Sequence, residues 1–483
     1  MKRFSKPTVI VLAAALLLSL CFSLAACNKA KADKFVIYNW EEYISEEVKD
    51  GFKAYYKAQT GKDIEIEYST FDTNETMLTK IINNDAKVDV ICPSEYAIEK
   101  LLQKGLLAPL DFGVISNYEN VDPMITGKID EVFGEIDLPE GKVNMNDYFV
   151  PYMWGTLGIL YNTETVREED LAKGWGLLWN QAGNPALEGK ILMKDSIRDA
   201  VAATVFYLKE NDRLPEGLKD KSAQELINTV NAELLAVIEQ ALKEQKPHLK
   251  GYEVDFGKDD MLNGIAYADL AWSGDAFWAI MEGENLNYFI PDSGSNIWFD
   301  GWVIPKSSNN KDAAMHWINY LCDPEIAMRN MMEIGYTAGV APEKLQESES
   351  AIAILTDNDF DAAEFFADTL RYPIETEHLG VMKDLGASNE QAVDMWERVK
   401  AAGRGPQTWV IVLSVLGGVG IIGGAIAFYL TSKRRRRSVF ARPVLAKMQT
   451  NETPAPQNEE EAKVIDMKEK EESKDNIEGK DGE

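Results

Sequence analysis

Six short stretches, each predicted to lie at the end of a strand, combine aromatic, acidic and hydroxyl residues in a pattern suited to binding an organic cation. They are YNWEEY (38–43), PSEY (93–96), DSIRD (195–199), WSGDAFW (272–278), NIWFDG (296–301) and IGYT (334–337). The methylene groups of an aliphatic diamine favour flat apolar walls, and each ammonium favours a carboxylate or the face of a ring. The pattern therefore predicts an amine-binding site, although a sugar site also uses Trp and Asp and composition alone leaves that alternative open.

Other chemistry finds little support in the sequence. The three histidines, His248, His316 and His378, are far apart and lack metal-ligand spacing. There is no G-x-S-x-G elbow, and GNPALEGKI (183–191) lacks the spacing and the Ser/Thr of a P-loop. The sequence thus predicts neither an enzyme nor a metal or cofactor site, although its many carboxylates leave a hidden Asp/Glu pair open.

The elements that position these motifs alternate between strands and helices. FVIYNW (35–40), IEIEY (64–68) and VDVIC (88–92) read as strands, and helices capped by Ser45 and Asn74 connect them. A second α/β stretch begins at YFVPYMWGTLGILYN and includes the strand ILMK (191–194) and a helix around ELLAVIEQALKEQ. In open α/β sheets ligands bind beyond the carboxyl ends of the strands. Three residues lie at or just after the ends of predicted strands, namely Trp40, Ser94 and Ser196.

The N-terminal region is typical of a bacterial lipoprotein. Residues 1–26 form a predicted signal peptide, and Leu24-Ala25-Ala26-Cys27 fits the motif in which the cysteine receives a diacylglycerol after cleavage. Residues 27–33 would then be a linker from the lipid. The remaining cysteines, Cys92 and Cys322, are predicted to be free and buried.

The C-terminal region predicts a second membrane anchor. Residues 409–430 contain no charge and are long enough to span a bilayer core of about 30 Å. Five basic residues at 433–437 mark the cytoplasmic side, so the body should lie on the outer face of the cytoplasmic membrane, and 431–483 should be a disordered cytoplasmic tail. The net charge of −29 argues against a nucleic acid partner.

The body, residues 34–403, resembles the spermidine/putrescine-binding proteins of bacterial polyamine ABC transporters. The resemblance rests on YNWEEY, STFDTNETM, PSEY, PYMWGTLGILYN, the WFD-x-x-x-IP pattern at 298–305, IGYT and LGASNEQAVDMWERVKAAGR, in family order. It implies an α/β, two-lobed periplasmic-binding-protein (Venus-flytrap) fold of type II-like topology. Lobe 1 would comprise 34–147 with 301–345, and lobe 2 would comprise 148–300 with 346–402.

The same resemblance implies a set of ligand-binding residues. Matching motif by motif, these are Trp40, Glu42, Tyr43, Ser94, Tyr96, Ser196, Asp199, Trp272, Asp275, Trp298, Asp300 and Tyr336. The aromatics would form walls, and the ammonium partners would be Asp199, Asp275 and Asp300. Several alternatives stay open: core packing for Tyr43 and Tyr336, helix capping for Asp275 and Ser94, and simple solvation for Glu42.

Two departures from the family pattern bear on specificity. Spermidine-preferring members carry an acid at the position of Ser196, and putrescine-preferring members carry one at the position of Asp275. The resemblance places Met382 where the family has a glutamine near the end of the body. We therefore expect putrescine to bind at least as well as spermidine.

The resemblance also implies partners. The leading hypothesis is a receptor with a monomeric ectodomain that delivers polyamine to an ABC permease with its cytoplasmic ATPase. The alternative is a membrane-anchored polyamine sensor that signals through the transmembrane helix, and an enzyme on the same fold is a third reading.

Overall fold

The computed structural model describes residues 33–138, 141–374 and 376–403. All of them belong to a unit that ends at Arg404. Within these residues, no helix is both long and apolar enough to cross a membrane. The predicted signal peptide, Cys27, the helix at 409–430 and the acidic tail lie outside the described residues.

The described part of the chain begins with a small parallel sheet flanked by helices. Its elements are β1 (Asp33–Trp40), α1 (Glu46–Thr60), β2 (Ile64–Phe71), α2 (Asn74–Ile82), β3 (Val90–Ile91) and α3 (Glu95–Gln103). The strand order is β2-β1-β3, and both pairings are parallel. Helix α1 buries Val48, Phe52 and Tyr56 and ends at Gly61, whose φ of 75° suits glycine. The predicted strand–helix alternation is confirmed.

Short elements connect this sheet to a larger one. They are β4 (Leu107–Ala108), α4 (Pro123–Phe133) and the hairpin of β5 (Glu135–Leu138) and β6 (Gly141–Asn144). The larger region then contains β7 (Val150–Asn162), α5 (Glu168–Leu171), β8 (Ile191–Lys194), α6 (Ile197–Glu210), α7 (Ala223–Ile227), α8 (Ala232–Gln245), β9 (Leu249–Glu253), α9 (Gly257–Leu262), β10 (Ala268–Trp272), α10 (Ser273–Glu282), β11 (Leu286–Phe289) and β12 (Ser295–Trp302).

The rest of the described chain returns to the region of the first sheet and then runs back to the larger sheet. Its elements are β13 (Ile304–Pro305), α11 (Lys311–Leu321), α12 (Pro324–Ile334), β14 (Thr337–Ala338), α13 (Pro342–Glu347), α14 (Glu349–Asp357), α15 (Ala362–Ala367), β15 (Leu379–Gly380) and α16 (Asn389–Ala401). The larger sheet has the order β15-β12-β7-β10-β8-β9, with β11 and β14 also paired to β7.

Strand β7 joins two separate apolar cores. Its first half, with Val150 and Met153, belongs to a first core shared with α1 and α11. Its second half, with Leu157 and Ile159, belongs to a second core shared with β8 and α6. Twelve of its thirteen residues are buried, as expected for a strand covered on both faces. The fold is therefore two-lobed, and β7 with its antiparallel partner β12 runs through both lobes.

The two cysteines of the described body are free and buried, as predicted. Cys92 lies in the first core beside β1, and Cys322 follows α11 in the same core. Burial raises the pKa of the Cys92 thiol, so both side chains act as small apolar groups.

Candidate functional site

A cleft between the two lobes contains every ligand-binding residue that the sequence predicted. The empty space within it, open solvent included, is about 980 Å³. The predicted residues on its walls are Trp40, Glu42, Tyr43, Ser94, Tyr96, Ser196, Asp199, Trp272, Asp275, Trp298, Asp300 and Tyr336. Met382, which the sequence analysis predicted in place of the family's glutamine, lines the cleft as well and is almost fully buried.

Four of the six motifs follow strands, as predicted. YNWEEY ends β1, PSEY follows β3, DSIRD follows β8, and WSGDAFW begins at the last residue of β10. Because the carboxyl ends of these strands point towards the cleft, their side chains converge there.

The other two motifs do not follow strands, so the prediction that all six mark strand ends was wrong for them. Trp298 and Asp300 lie within β12, where the pairing with β7 shifts register after Asp300. Such an irregularity redirects side chains without ending the strand. Tyr336 follows helix α12, whose end is set by Gly335 with φ of 80°.

Aromatic rings form one wall of the cleft. Tyr336 contacts Tyr43 and Trp298 edge to face, with ring centroids 5.2 Å and 5.4 Å apart. Tyr43 and Tyr336 both belong to the first core, so core packing and a place on the cleft wall are compatible for them. The Trp40 and Trp298 indole nitrogens are buried and have no hydrogen-bond partner among the described residues. The wall therefore offers unpaired polar atoms as well as flat apolar surface.

Three buried carboxyl groups lie beside this wall. Burial raises the pKa of Asp300 to about 7, and the negative charge of Asp199 adds to the shift. Burial also raises the pKa of Asp199, and raises that of Glu95 to about 8. One oxygen of Asp300 and one of Glu95 lack a partner among the described residues. A cation placed here would relieve the desolvation of the ionised carboxylates.

The whole cleft is strongly acidic. Among the residues that the structure describes, its walls carry eleven acidic residues and three basic ones. The acids are Glu41, Glu42, Asp72, Glu75, Glu95, Asp195, Asp199, Glu253, Asp255, Asp275 and Asp300, and the bases are Lys194, Arg198 and Lys258. This imbalance attracts cationic ligands and disfavours anionic ones.

A polar network at the first-lobe edge corrects one capping prediction. The Asn74 amide donates to Ser94 Oγ at 2.9 Å and to the Tyr96 hydroxyl at 3.1 Å. Thr73, and not Asn74, caps α2, because its Oγ1 accepts from the backbone N–H of Thr76. Ser94 occupies the cap position of α3 without making a side-chain cap bond, so its hydroxyl serves the cleft network.

Residues of the second lobe complete the wall at its other end. Ser196 caps α6, and its Oγ accepts from the N–H of Asp199 at 3.4 Å. Asp275 lies in the first turn of α10, and the cap position is Trp272, so the capping alternative for Asp275 is excluded. An acid in the first turn still interacts favourably with the helix dipole.

Two lysines that the sequence analysis missed lie beside Asp275. The Lys194 ammonium is 3.8 Å from Asp275 Oδ2, and the Lys258 ammonium is 3.5 Å from Asp275 Oδ1. Lys258 also reaches the exposed Glu42 of the other lobe at 2.9 Å, so Glu42 is both solvated and paired across the cleft. Lys194 ends a strand of four buried residues, and a charge in such a strand requires partners. The lysine at the end of the predicted strand ILMK was such a signal in the sequence.

A two-lobed α/β body with a cleft between its lobes is typical of solute-binding proteins. The model of the bacterial extracellular solute-binding protein family matches residues 52–354, more than half of the chain. The chain belongs to this family, and it is a solute-binding protein and not an enzyme.

Individual relatives agree with this assignment. The chain is similar to the spermidine/putrescine-binding periplasmic protein of Salmonella typhimurium, with 27% identity over 69% of this chain and 85% of the relative. It is also similar to the putrescine-binding periplasmic protein PotF of Escherichia coli, with 26% identity over 60% of this chain and 73% of the relative. Among solved structures, it resembles the spermidine/putrescine ABC transporter substrate-binding protein PotD from Streptococcus pneumoniae, with a TM-score of 0.55, 29% identity, and coverage of 77% of this chain and 99% of that one.

Proposed function

We propose that this protein is an extracytoplasmic polyamine receptor that delivers putrescine or spermidine to an ABC import permease. The observation that carries the proposal is the placement of the buried carboxyls of Asp300 and Asp199 beside the aromatic wall of Tyr43, Trp298 and Tyr336. These acids have no lysine or arginine ion pair among the described residues. A bound ammonium would supply the missing charge.

The energetics suit a small aliphatic amine. A cation over an aromatic ring contributes about 0.5–2 kcal/mol. A hydrogen bond to a charged group contributes roughly 1.5–3 kcal/mol. Two or three contacts of each kind outweigh association costs of about 4–15 kcal/mol only if the cleft is preorganised. The cleft is preorganised by the hydrogen bonds among Asn74, Ser94 and Tyr96 and by the packing of its aromatic rings.

A sugar accounts for the site less well. A neutral ligand would fit the aromatic wall and accept hydrogen bonds from the indole nitrogens. It would leave the desolvated Asp300 without a counter-charge, and an unpaired buried carboxylate is costly. The excess of acids over bases in the cleft favours a cation in the same way.

The names of the similar proteins support both the ligand and the transport step. Those relatives bind spermidine or putrescine, and the structural neighbour is the substrate-binding part of an ABC transporter. We therefore place the protein on the outer face of the cytoplasmic membrane. A lipid on Cys27 and the helix at 409–430 would anchor it.

We also propose a division of the body into lobes. Residues 34–147 with 301–345 would form lobe 1, and 148–300 would belong to lobe 2. Helix α14 packs through Ala351 and Leu355 into the first core, whereas α16 packs through Met395 and Trp396 into the second. The stretch from α14 to α15 would then belong with lobe 1, and α16 with lobe 2.

Titration calorimetry of the full chain in detergent tests the proposal. Putrescine and spermidine should be compared with 1,4-butanediol, which keeps the four-carbon chain of putrescine but has no charge, and with glucose. We expect saturable 1:1 binding of at least one polyamine at micromolar or lower Kd and none of the neutral compounds. Binding of glucose or the diol with no polyamine binding would reject the proposal.

A further inference from the structure

The side chain of Lys194 is arranged as a bound amine would be. Its ammonium lies 4.2 Å from the centre of the Trp272 ring and 2.5 Å from Glu253 Oε1. It also donates to the backbone carbonyl of Val254 at 2.8 Å, and Asp275 Oδ2 is 3.8 Å away. A ring face, carboxylates and a carbonyl are the partners that a primary ammonium requires.

We propose that Lys194 is a built-in ammonium that occupies one of the three amine positions of the cleft, so that the remaining space fits a diamine and rejects the third amine of spermidine. This inference rests on the proposed function and specifies its ligand. Of the three carboxylates expected to hold ammonium groups, Asp275 already faces two lysines of the chain itself. Asp199 and Asp300 remain for the ligand.

The opposite end of the cleft has no equivalent cation. Besides Lys194 and Lys258, Arg198 is the one basic residue that the described part of the chain contributes to the cleft walls. Its guanidinium stacks on the Tyr96 ring at 4.9 Å and donates to the backbone carbonyl of Lys383 at 2.9 Å. It forms no ion pair with Asp300 or Asp199 in the part of the chain that the structure describes. Lys194 also favours the ionised form of Asp199 without forming an ion pair with it in the described residues.

Lys194 is held firmly in this position. It is 1% exposed, and its partner Glu253 is equally buried. Burial alone would lower the pKa of Lys194, but the carboxylates of Glu253, Asp269 and Asp275 outweigh it and raise the pKa. The ammonium therefore stays charged at physiological pH and occupies one face of Trp272. A second ammonium brought to the same place would meet a like charge in a site of low dielectric.

Removal of the lysine charge tests the inference. Lys194→Met removes the charge and shortens the side chain by one atom. Lys194→Met combined with Glu253→Gln removes both charges of the buried pair, so that no unpaired buried carboxylate destabilises the fold. Lys190→Met is the matched control, since Lys190 lies above the Tyr267 ring at 5.3 Å on the same segment but outside the cleft. Calorimetry of the full chain gives Kd for 1,3-diaminopropane, putrescine and spermidine in each protein.

The expected results concern the ratio of the spermidine Kd to the putrescine Kd. In the wild type the diamine should bind more tightly. In both Lys194 variants the ratio should fall by about tenfold or more, the scale of one charge-assisted contact, and in Lys190→Met it should not change.

Each other result overturns the inference and identifies what failed. Tighter binding of spermidine than of putrescine by the wild type would overturn it without any variant. An unchanged ratio in the double variant, with polyamine binding intact, would overturn it and leave the proposed function standing. Absence of polyamine binding in the wild type would reject the proposed function, and this inference with it.

Discussion

Tyr336 packs edge to face against Trp298, with the two ring centroids 5.4 Å apart, and so joins strand β12 to the segment after α12. The same ring contacts Tyr43 at 5.2 Å. Gly274 allows this close packing, because a Cβ there would lie 2.2 Å from Cδ1 of Tyr336. Three parts of the chain that are distant in sequence thus meet in one wall of the cleft.

Replacement of Tyr336 by leucine should weaken putrescine binding about three- to thirtyfold, because a ring face contributes about 0.5–2 kcal/mol to holding a cation. Tyr336→Phe retains the ring and should bind nearly as well as the wild type. Calorimetry measures both, with the melting temperature as a check on folding. Equal loss in the two variants would mean that the hydroxyl, and not the ring, is what the ligand contacts.

Asp300→Asn should reduce putrescine affinity roughly 10- to 150-fold, since it removes a charge-assisted hydrogen bond of about 1.5–3 kcal/mol. The asparagine keeps the shape of the side chain. Asp137→Asn, an exposed change in the β5–β6 hairpin, is the matched control and should have no effect. If Asp300→Asn binds putrescine as the wild type does, the ligand ammonium does not depend on this carboxylate.

Polyamine binding should weaken as the pH falls below 7. Burial raises the pKa of Asp300 to about 7 in the ligand-free protein, and the ligand requires the ionised carboxylate. Putrescine itself stays charged throughout, because aliphatic amines titrate near pH 10. The Kd should therefore rise by up to tenfold per pH unit between pH 7 and 5.5, and this slope should be reduced in Asp300→Asn. A Kd that is constant from pH 8 to 5.5 would show that Asp300 is already ionised.

Glu95→Gln should stabilise the ligand-free protein relative to the wild type, and by more at pH 9 than at pH 6. Burial raises the pKa of Glu95 to about 8, above its ordinary value, so the folded state binds the proton more tightly than the unfolded state. The wild type then loses stability as the pH rises through the range between those two pKa values. Glutamine has no charge to bury and still accepts from the N–H of Phe299. Melting temperatures at pH 6 and 9 measure the difference, and equal destabilisation at both values would contradict the expectation.

Much of the fold could be predicted from local sequence patterns. The strand ILMK has the observed bounds Ile191–Lys194, and Gly61 ends α1 as expected. The predicted strand VDVIC is shorter in the structure, where it pairs with β1 over Val90–Ile91. Pairing partners depend on tertiary structure and are not visible in a local pattern.

Some residues of the site were predicted from the sequence and others were missed. The aromatics and acids of the six motifs were found because they combine into one chemistry, and the family resemblance added their roles. Lys194 and Lys258 were missed because their partners, Glu253, Asp275 and Glu42, come from distant segments and in one case from the other lobe. Glu95 was missed because only its complete burial makes it unusual.

A structure of the full chain determined with putrescine bound would test the central claim most directly. We predict one ligand nitrogen within about 3 Å of an Asp300 carboxylate oxygen, the distance of a charge-assisted hydrogen bond, with the methylene chain against Tyr336 and Trp298. Lys194 should remain over Trp272. Putrescine bound elsewhere, with the Asp300 carboxylate facing no ligand nitrogen, would contradict the account.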